Sequence, residues 1–269
     1  MFKAIFTNSF GILFSRILGF IRDLLTASVL GANIYSDIFF IAFKLPNLFR
    51  RIFAEGAFTQ VFIPAFAKSS HKGVFSANIF VVFLSIILII TLLVNLLPAL
   101  ATQAIAVGFD DATIELASPF VAINFWYLPL IFAVTFLSTM LQYKHHFATS
   151  AFSTALLNLS LIFALLLSQD KSQSEIVYYL SWGVVIGGLM QLAVHVVAIY
   201  KLGLSKSLKI GPQLSKVIYV YLLGLAFHSL MTPKPFPYKE EILFLQDALG
   251  SVLEGGDQGA VEFLKKMQG

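Results

Sequence analysis

The 269-residue sequence contains no cysteine and few charged residues. Without cysteine, the chain has no disulfides, no thiolate metal ligands and no cysteine nucleophile. Only 12% of its residues are charged and 58% are hydrophobic, whereas a soluble globular domain carries about 25% charged residues. The composition therefore excludes an ordinary soluble domain and indicates a membrane protein with several spans.

The sequence also lacks the spacing patterns that carry most enzyme chemistry. It has no nucleophile–base set, no glycine-rich phosphate loop and no metal-ligand spacing. The pair His145–His146 reads as part of a short solvated loop rather than as a metal site. We therefore predict a protein that is not an enzyme and that uses no metal or cofactor. Its basic excess calls for a topological explanation before a nucleic-acid partner, and none is expected.

Long apolar runs take the place of the missing charge. Four runs without charge are each long enough for the roughly 20 residues that a helix needs to cross the hydrocarbon core. Because uniformly apolar runs of this length span lipid as helices, the predicted fold class is an all-α polytopic membrane protein. Two further spans near the N-terminus are interrupted by charges, which gives six predicted transmembrane helices. They cover residues 4–30, 35–54, 77–101, 118–142, 148–168 and 176–200.

The part of the chain after residue 205 differs from these spans. Residues 206–232 contain a doubtful seventh membrane segment, because the apolar run Val217–Met231 is short and includes His228. From Pro233 onward the chain is richer in charge, and apolar residues near helical spacing predict a short amphipathic helix. We expect residues 233–269 to form a cytoplasmic tail, with binding of a partner or of the membrane surface as the alternative.

The distribution of lysine predicts the orientation in the membrane. If the N-terminus is cytoplasmic, the outer loops carry only Lys171 among several acids, and the inner loops carry the other loop lysines. The positive-inside rule then places both termini in the cytoplasm. A cleavable signal peptide is the alternative interpretation of the first residues, but Arg16 and Arg22 follow the apolar run at once. The inner-loop lysines are Lys68, Lys72, Lys144, Lys201, Lys206, Lys209 and Lys216.

The first two predicted spans contain charges that lipid tolerates poorly. Each charge near the bilayer centre costs about 2.5–3.5 kcal/mol on insertion scales, so these side chains must face protein, water or one another. Cations outnumber acids, which indicates a cavity for an anionic ligand, and the planar guanidinium suits phosphate or carboxylate. The cations are Arg16, Arg22, Lys44, Arg50 and Arg51, and the acids are Asp23, Asp37 and Glu55.

Helical spacing arranges these charges in stripes. Arg16 and Asp23 are seven residues apart and share a face of the first span. In the second span Asp37, Lys44 and Arg51 repeat at the same interval, with Glu55 following Arg51 by one turn. Pro46 lies within that stripe and predicts a kink, because proline removes a backbone donor and clashes with the preceding turn.

Simpler roles remain open for some of the charges. Arg50 and Arg51 can sit at the cytoplasmic end of the second span and reach the headgroups. Lys44 can pair with Asp37 or with a backbone carbonyl. The two arginines of the first span are harder to place in this way, so we predict a transporter for an anionic, phosphorylated substrate. Elsewhere, Asn158 and Gln191 are expected to bond between helices, and Gly187 and Gly188 to allow close helix packing.

Two segments carry a resemblance to a known family. FSRILGFIRD (Phe14–Asp23) and SDIFFIAFKLPNLFRRIFAEGAFTQVFIP (Ser36–Pro64) resemble the bacterial lipid II flippase family MurJ, also called MviN. Weaker agreement in Leu156–Ser160 and Trp182–Leu192 extends the resemblance over residues 1–205. The family belongs to the multidrug/oligosaccharidyl-lipid/polysaccharide exporter superfamily.

The resemblance implies a function and a site. Such proteins move undecaprenyl-pyrophosphate-linked peptidoglycan precursor from the cytoplasmic to the periplasmic leaflet by alternating access of two helical lobes. The matching positions imply that a central cationic cavity is lined by Arg16, Arg22 and Arg50, together with Asp37. The other charges, Lys44, Arg51, Glu55 and Asp23, are then secondary candidates.

The resemblance covers one lobe of the two, the N-terminal one. One lobe supplies half of a cavity, so we expect this chain not to flip lipid alone. The expected partners are lipid II or a similar polyprenyl-diphosphate-linked glycan, the lipids of the bacterial inner membrane, and a second transmembrane lobe. Residues 206–269 are not expected to resemble the family. The alternatives are an exporter of another polyprenyl-linked glycan, an exporter of a small cationic drug, against which a cationic lining argues, and a non-transporting membrane scaffold.

Overall fold

Every element among the described residues is an α-helix, as the composition predicts for the fold class. The computed structural model describes residues 2–54, 57–204, 221 and 224, apart from the side chains at 2–5, 7, 8, 51–54 and 57. The tail at 233–269 and nearly all of 206–232 lie outside these residues. The helices are α1 (Phe2–Val29), α2 (Ile34–Ala54), α3 (Ala57–Lys68), α4 (Lys72–Leu96), α5 (Pro98–Ile105), α6 (Asp111–Phe125), α7 (Tyr127–Tyr143), α8 (Ala148–Ser168) and α9 (Gln173–Lys201).

Several of these helices are suited to a bilayer. Among the described residues, four segments are long and apolar enough to cross it, namely α4, the α6–α7 pair, α8 and α9. Helices α1 and α2 have 28 and 21 residues, which is also enough at 1.5 Å rise per residue, but they carry the charges noted above. A membrane protein with several apolar helices is therefore established, and the count of six spans stays a prediction.

Two predicted spans differ from the helices that form. The span predicted at 77–101 ends early, because Leu97 leaves the helical conformation (φ −129°, ψ 56°) and Pro98 starts α5. Proline is favoured at the first position of a helix, where its missing N–H costs no hydrogen bond. The span predicted at 118–142 is divided at Trp126 into α6 and α7. There Pro129 cannot donate to the Phe125 carbonyl, so the ladder is weakened at this point.

The α6–α7 pair forms the centre of the bundle and is buried throughout its most apolar stretch. Helix α7 packs on α2, α4 and α9, and α9 packs extensively on α8. Close approach at α9 depends on two glycines, as predicted. A Cβ built on Gly187 would lie 2.8 Å from Leu157 Cδ1, and one on Gly188 would lie 2.7 Å from Tyr127 Cδ2.

A cluster of phenylalanines joins α3 and α4 to α7. The ring centroids of Phe80 and Phe136 are 4.9 Å apart, and those of Phe62 and Phe136 are 5.3 Å apart in an edge-on arrangement. Such pairs add specific geometry to the burial of apolar area. The many phenylalanines of the sequence are thus used partly to fix the packing of this side of the bundle.

Candidate functional site

Helix α1 lies at the edge of the bundle and packs mainly on α8 among the described helices. Contact is close, since a Cβ on Gly11 would lie 2.8 Å from Ala151 Cβ, and Ser15 Oγ donates to the Ala151 carbonyl at 3.2 Å. Arg16 and Asp23 are exposed on a neighbouring face. A third face is exposed and apolar, which suits contact with lipid. It consists of Phe10, Phe14, Ile17, Ile21 and Leu24.

Arg16 lies near the middle of α1, about 21 Å along the helix axis from its first residue at 1.5 Å per residue. Its side chain is exposed, and no hydrogen bond or ion pair joins it to another residue of the described set. A guanidinium at this depth cannot face hydrocarbon without a large cost. If α1 spans the bilayer as predicted, the face that carries Arg16 has to border water, protein or a polar ligand.

Arg22 is held by two neighbours. Its Nε and Nη2 donate to Asp23 Oδ1 at 3.0 and 2.6 Å, and its Nη1 donates to Asn158 Oδ1 on α8 at 2.9 Å. The Arg22 side chain is 24% exposed and that of Asp23 is 66% exposed. The structure thus brings Arg22 and Asp23 together, and it turns Arg22 toward α8, away from the face of Arg16.

A pocket of about 640 Å³ follows the exposed face of α2. Asp37 and Lys44 both line it, in agreement with the stripe that their spacing predicts. No ion pair joins these two side chains within the described residues, so the Asp37–Lys44 pairing considered as a simpler role is not present. The lining consists of Asp37, Phe40, Ile41, Phe43, Lys44, Asn47, Leu48 and Phe109.

Arg50 lies on another side of α2, about 140° around the helix from Asp37 at 100° per residue. It is half-buried, and its Nε donates to Asn47 Oδ1 at 3.1 Å. Arg50 itself does not line the pocket, although Asn47, to which it is bonded, does.

The remaining candidates on α2 are only partly described. Helix α2 continues without a break through Pro46, which is buried, and a bend at this residue stays a prediction. The side chain of Arg51 and the whole of Glu55 lie outside the described residues. Among the residues that are described, no three His, Asp or Glu side chains come together in a way that could hold a metal ion.

The polar residues inside the apolar helices bond between helices, as predicted. Gln191 Nε2 donates to the Ser153 carbonyl at 3.0 Å, and Tyr127 donates to Gln191 Oε1 at 3.2 Å. The sequence predicted that Asn158 forms a hydrogen bond between helices, but it did not indicate that the partner is Arg22. It gave no sign that Phe109, in the loop before α6, lines the pocket, because loop conformation has no periodicity to interpret.

A match to a family model shows which protein family the chain belongs to. The model described as lipid II flippase MurJ matches residues 26–232. The chain belongs to this family. A solved structure described as lipid II flippase MurJ, inward closed conformation, has the same fold, with a TM-score of 0.62 and 24% identity over 80% of this chain and 46% of that one.

Curated relatives of this family match different lengths of the chain. A probable lipid II flippase MurJ from Helicobacter pylori (strain J99) is 54% identical over 178 residues, which are 66% of this chain and 39% of that protein. The protein of the same name from Rhizobium tropici is 34% identical over 93% of this chain and 48% of its own length. That from Aquifex aeolicus is 31% identical over 99% of this chain and 52% of its own length. The chain thus spans about half, or less, of these relatives.

The similarity to the family extends past residue 205. The family match runs to residue 232, and the Aquifex aeolicus match includes nearly all of 233–269. These segments therefore take part in the similarity, although the motifs indicated an end near 205. The division of the chain into a lobe at 1–205, a segment at 206–232 and a tail stays a prediction.

Proposed function

We propose that this chain forms one wall of a lipid II flippase, which moves undecaprenyl-diphosphate-linked peptidoglycan precursor across the bacterial inner membrane. The observation that carries the proposal is the set of exposed charges on α1 and α2, Arg16, Asp23, Asp37 and Lys44, beside four long apolar helical segments. Membership of the family supports this function. Transport proceeds by alternating access and involves no covalent chemistry.

The chemistry of the charged face suits a diphosphate. Arginine offers five N–H donors in a planar fork and keeps its charge at any physiological pH. Arg16, exposed near mid-helix, and Arg22, six residues further along α1, are the primary ligands in this proposal, with Arg50 half-buried on α2. Asp37 and Lys44 line the pocket along α2, where polar groups of the glycan or peptide would be held.

The orientation of the chain is part of the proposal. Six spans place both ends of the polypeptide in the cytoplasm and the charged face opposite a second helical lobe. Residues 1–269 alone supply one wall, so they bind the lipid but do not move it between leaflets. A binding measurement is therefore the sharper test of this chain.

The test compares Arg16→Ala and Arg22→Ala with the unaltered chain in lipid nanodiscs, with labelled lipid II as the ligand. Each substitution is expected to weaken binding about tenfold, because a charge-assisted hydrogen bond to phosphate is lost. Lys201→Ala is the matched control, since Lys201 is an exposed cation at the end of α9, far along the chain from the charged face.

Unchanged affinity in both arginine variants would contradict the proposal. A fall in affinity in Lys201→Ala as large as that in the arginine variants would count against it too, because general attraction to a cationic surface would then explain the binding. Melting temperatures of all four proteins show that the variants are folded.

A further inference from the structure

Asn158 lies in the middle of α8, against α1, and is 4% exposed. Both ends of its amide are used. Oδ1 accepts from Arg22 Nη1 at 2.9 Å, and Nδ2 donates to the carbonyl oxygen of Ser15 at 2.9 Å. A carbonyl oxygen can only accept a hydrogen bond, so the amide nitrogen has to face Ser15 and the amide oxygen has to face Arg22.

The bonds to Arg22 leave a defined part of its guanidinium available. Of five N–H groups, the one on Nε and one on Nη2 are directed to Asp23, and one on Nη1 is directed to Asn158. One N–H therefore remains on each terminal nitrogen. Arginine uses such terminal N–H groups to bind two oxygens of a phosphate in a paired manner.

The identity of the residue at 158 matters for charge. A neutral amide oxygen orients a cation without neutralising it, whereas a carboxylate at the same place would form an ion pair. Asp23 already supplies one carboxylate to Arg22. The Arg22–Asp23 pair is therefore neutral, and a second carboxylate would make the cluster negative and repel an anionic substrate.

The backbone of α1 allows this contact. A Cβ built on Gly19 would lie 3.4 Å from Asn158 Nδ2, so the two helices approach closely at this level. The Ser15 carbonyl is engaged from the side by Asn158, and the Ser15 hydroxyl is bonded to α8 as well. These bonds fix the register between α1 and α8 at the level where the Arg22 side chain extends from α1 to Asn158 on α8.

We propose that Asn158 is a positioning residue that orients Arg22 for a lipid-linked diphosphate without adding a negative charge beside it. The inference rests on the proposed function for the choice of ligand. The hold of Asn158 on Arg22 can be tested without any ligand, so the two parts can fail separately.

The first experiment measures how fast phenylglyoxal, a reagent for guanidinium groups, modifies each arginine of the purified chain, by peptide mass spectrometry. The sequence has four arginines, so the sites can be followed individually. Arg22 is expected to react more slowly than Arg16 in the unaltered chain. Asn158→Leu is expected to raise the Arg22 rate roughly fivefold, since a hydrogen bond to a charged group is lost.

Asn124→Leu is the matched control. Asn124 is also a buried intramembrane asparagine that joins two helices, because its Nδ2 donates to Ser181 Oγ at 2.9 Å, but it does not contact Arg22. Its replacement is expected to leave the Arg22 rate unchanged. An unchanged rate in Asn158→Leu, or an equal rise in both variants, would overturn the inference.

Asn158→Asp keeps the test decisive if Asn158→Leu does not fold. The carboxylate retains an acceptor for Arg22, so the slow modification of Arg22 is expected to persist. Binding of undecaprenyl diphosphate is expected to weaken about tenfold, because the added negative charge opposes the ligand. Modification of Arg22 at the rate of Arg16, or undiminished binding, would refute the positioning role.

A final measurement separates this inference from the proposed function. Undecaprenyl diphosphate in nanodiscs is expected to slow the modification of Arg22 in the unaltered chain and to do so less in Asn158→Leu. If the lipid gives no protection while the ligand-free rates behave as expected, the choice of ligand is wrong and Asn158 has a structural role only. If the ligand-free rates do not respond, the positioning role is wrong whatever the lipid does.

Discussion

At the scale of single residues, two arginines six positions apart on one helix have different surroundings. Arg22 is bonded to Asp23 and Asn158, whereas Arg16 has no such partner within the described chain. A tethered guanidinium keeps a fixed geometry, and an untethered one can follow a moving ligand at the cost of side-chain entropy. We therefore expect Arg22 to bind an anionic ligand in one fixed orientation. We expect Arg16 to stay in contact with the ligand as the ligand moves.

Packing at the glycines of α9 gives a prediction at the same scale. Gly188→Ala places a methyl group 2.7 Å from Tyr127 Cδ2 and 2.9 Å from Leu130 Cδ1, so neighbouring side chains have to move. The expected cost is about 1–3 kcal/mol, as is usual for overpacking. Thermal unfolding in detergent should show a lower midpoint.

Gly19→Ala is the comparison for that measurement. The nearest atom to its new Cβ is 3.4 Å away, which is an ordinary contact. Alanine is favoured over glycine inside a helix by about 1 kcal/mol, so this variant should melt at the same temperature or higher. A Gly188→Ala protein as stable as the unaltered chain would show that the α7–α9 contact is looser than described.

At the scale of elements, the helix ends in the loops are built by local rules. Asp110 is the N-cap of α6, and its Oδ1 accepts from the Thr113 backbone N–H at 3.1 Å. At the start of α9, Ser172 and Glu175 form a reciprocal capping box. These caps satisfy backbone donors that a helix start leaves free, and both lie in loops that the lysine pattern assigns to the outer side.

The cap on α6 predicts a dependence on pH. Hydrogen bonds from Thr113 lower the pKa of Asp110 below its usual value, so the carboxylate stabilises the folded state at neutral pH. This contribution is fully present above the pKa of the unfolded chain and is lost as pH falls through the lower, folded pKa. Protection of the Thr113 amide from hydrogen exchange should therefore decrease in acid.

Substitution at Asp110 checks this assignment. Asp110→Asn keeps a good cap and should give Thr113 protection that does not vary with pH over the acid range. Asp110→Ala should lose protection at all pH values. Equal protection in the alanine variant and the unaltered chain at neutral pH would show that the cap does not stabilise the start of α6.

The helices of this chain could largely be predicted from sequence, and the contacts of the site could not. Apolar runs define α8 closely, at 148–168, because lipid imposes one requirement on every residue of a span. The break at Trp126 and the early end of α4 were missed, since Pro129 and Pro98 lie in runs that remain apolar throughout. The bond from Arg22 to Asn158 joins residues 136 positions apart, which no local pattern can indicate.

At the scale of the whole molecule, apolar and charged surfaces are separated. Helix α4 exposes a wide apolar surface suited to lipid, while α1 and α2 expose charges on defined faces. Charges at membrane depth are stable only against water, protein or ligand. Under the proposed function, these charged faces are the expected contact sites of the substrate and of a second lobe.

The proposed orientation can be tested with single cysteines, because the sequence has none of its own. Ala32→Cys and Gln169→Cys lie in loops expected on the outer side, and Ser70→Cys lies between α3 and α4 on the inner side. A membrane-impermeant maleimide should label the first two in intact cells and Ser70→Cys only after permeabilisation. Labelling of Ser70→Cys in intact cells would refute the six-span topology.

The packing of α1 on α8 has a consequence for the biogenesis of the protein. Asn158 follows Arg22 by 136 residues, which a ribosome adds in about 7–27 s at 5–20 residues per second. Throughout that interval Arg22 has Asp23 as a neighbour but not its partner on α8. We expect the nascent α1 to stay at the insertion machinery, or at the membrane surface, until α8 has been made. The polarity of this helix, which the proposed function uses to bind a substrate, is thus expected to delay its final insertion as well.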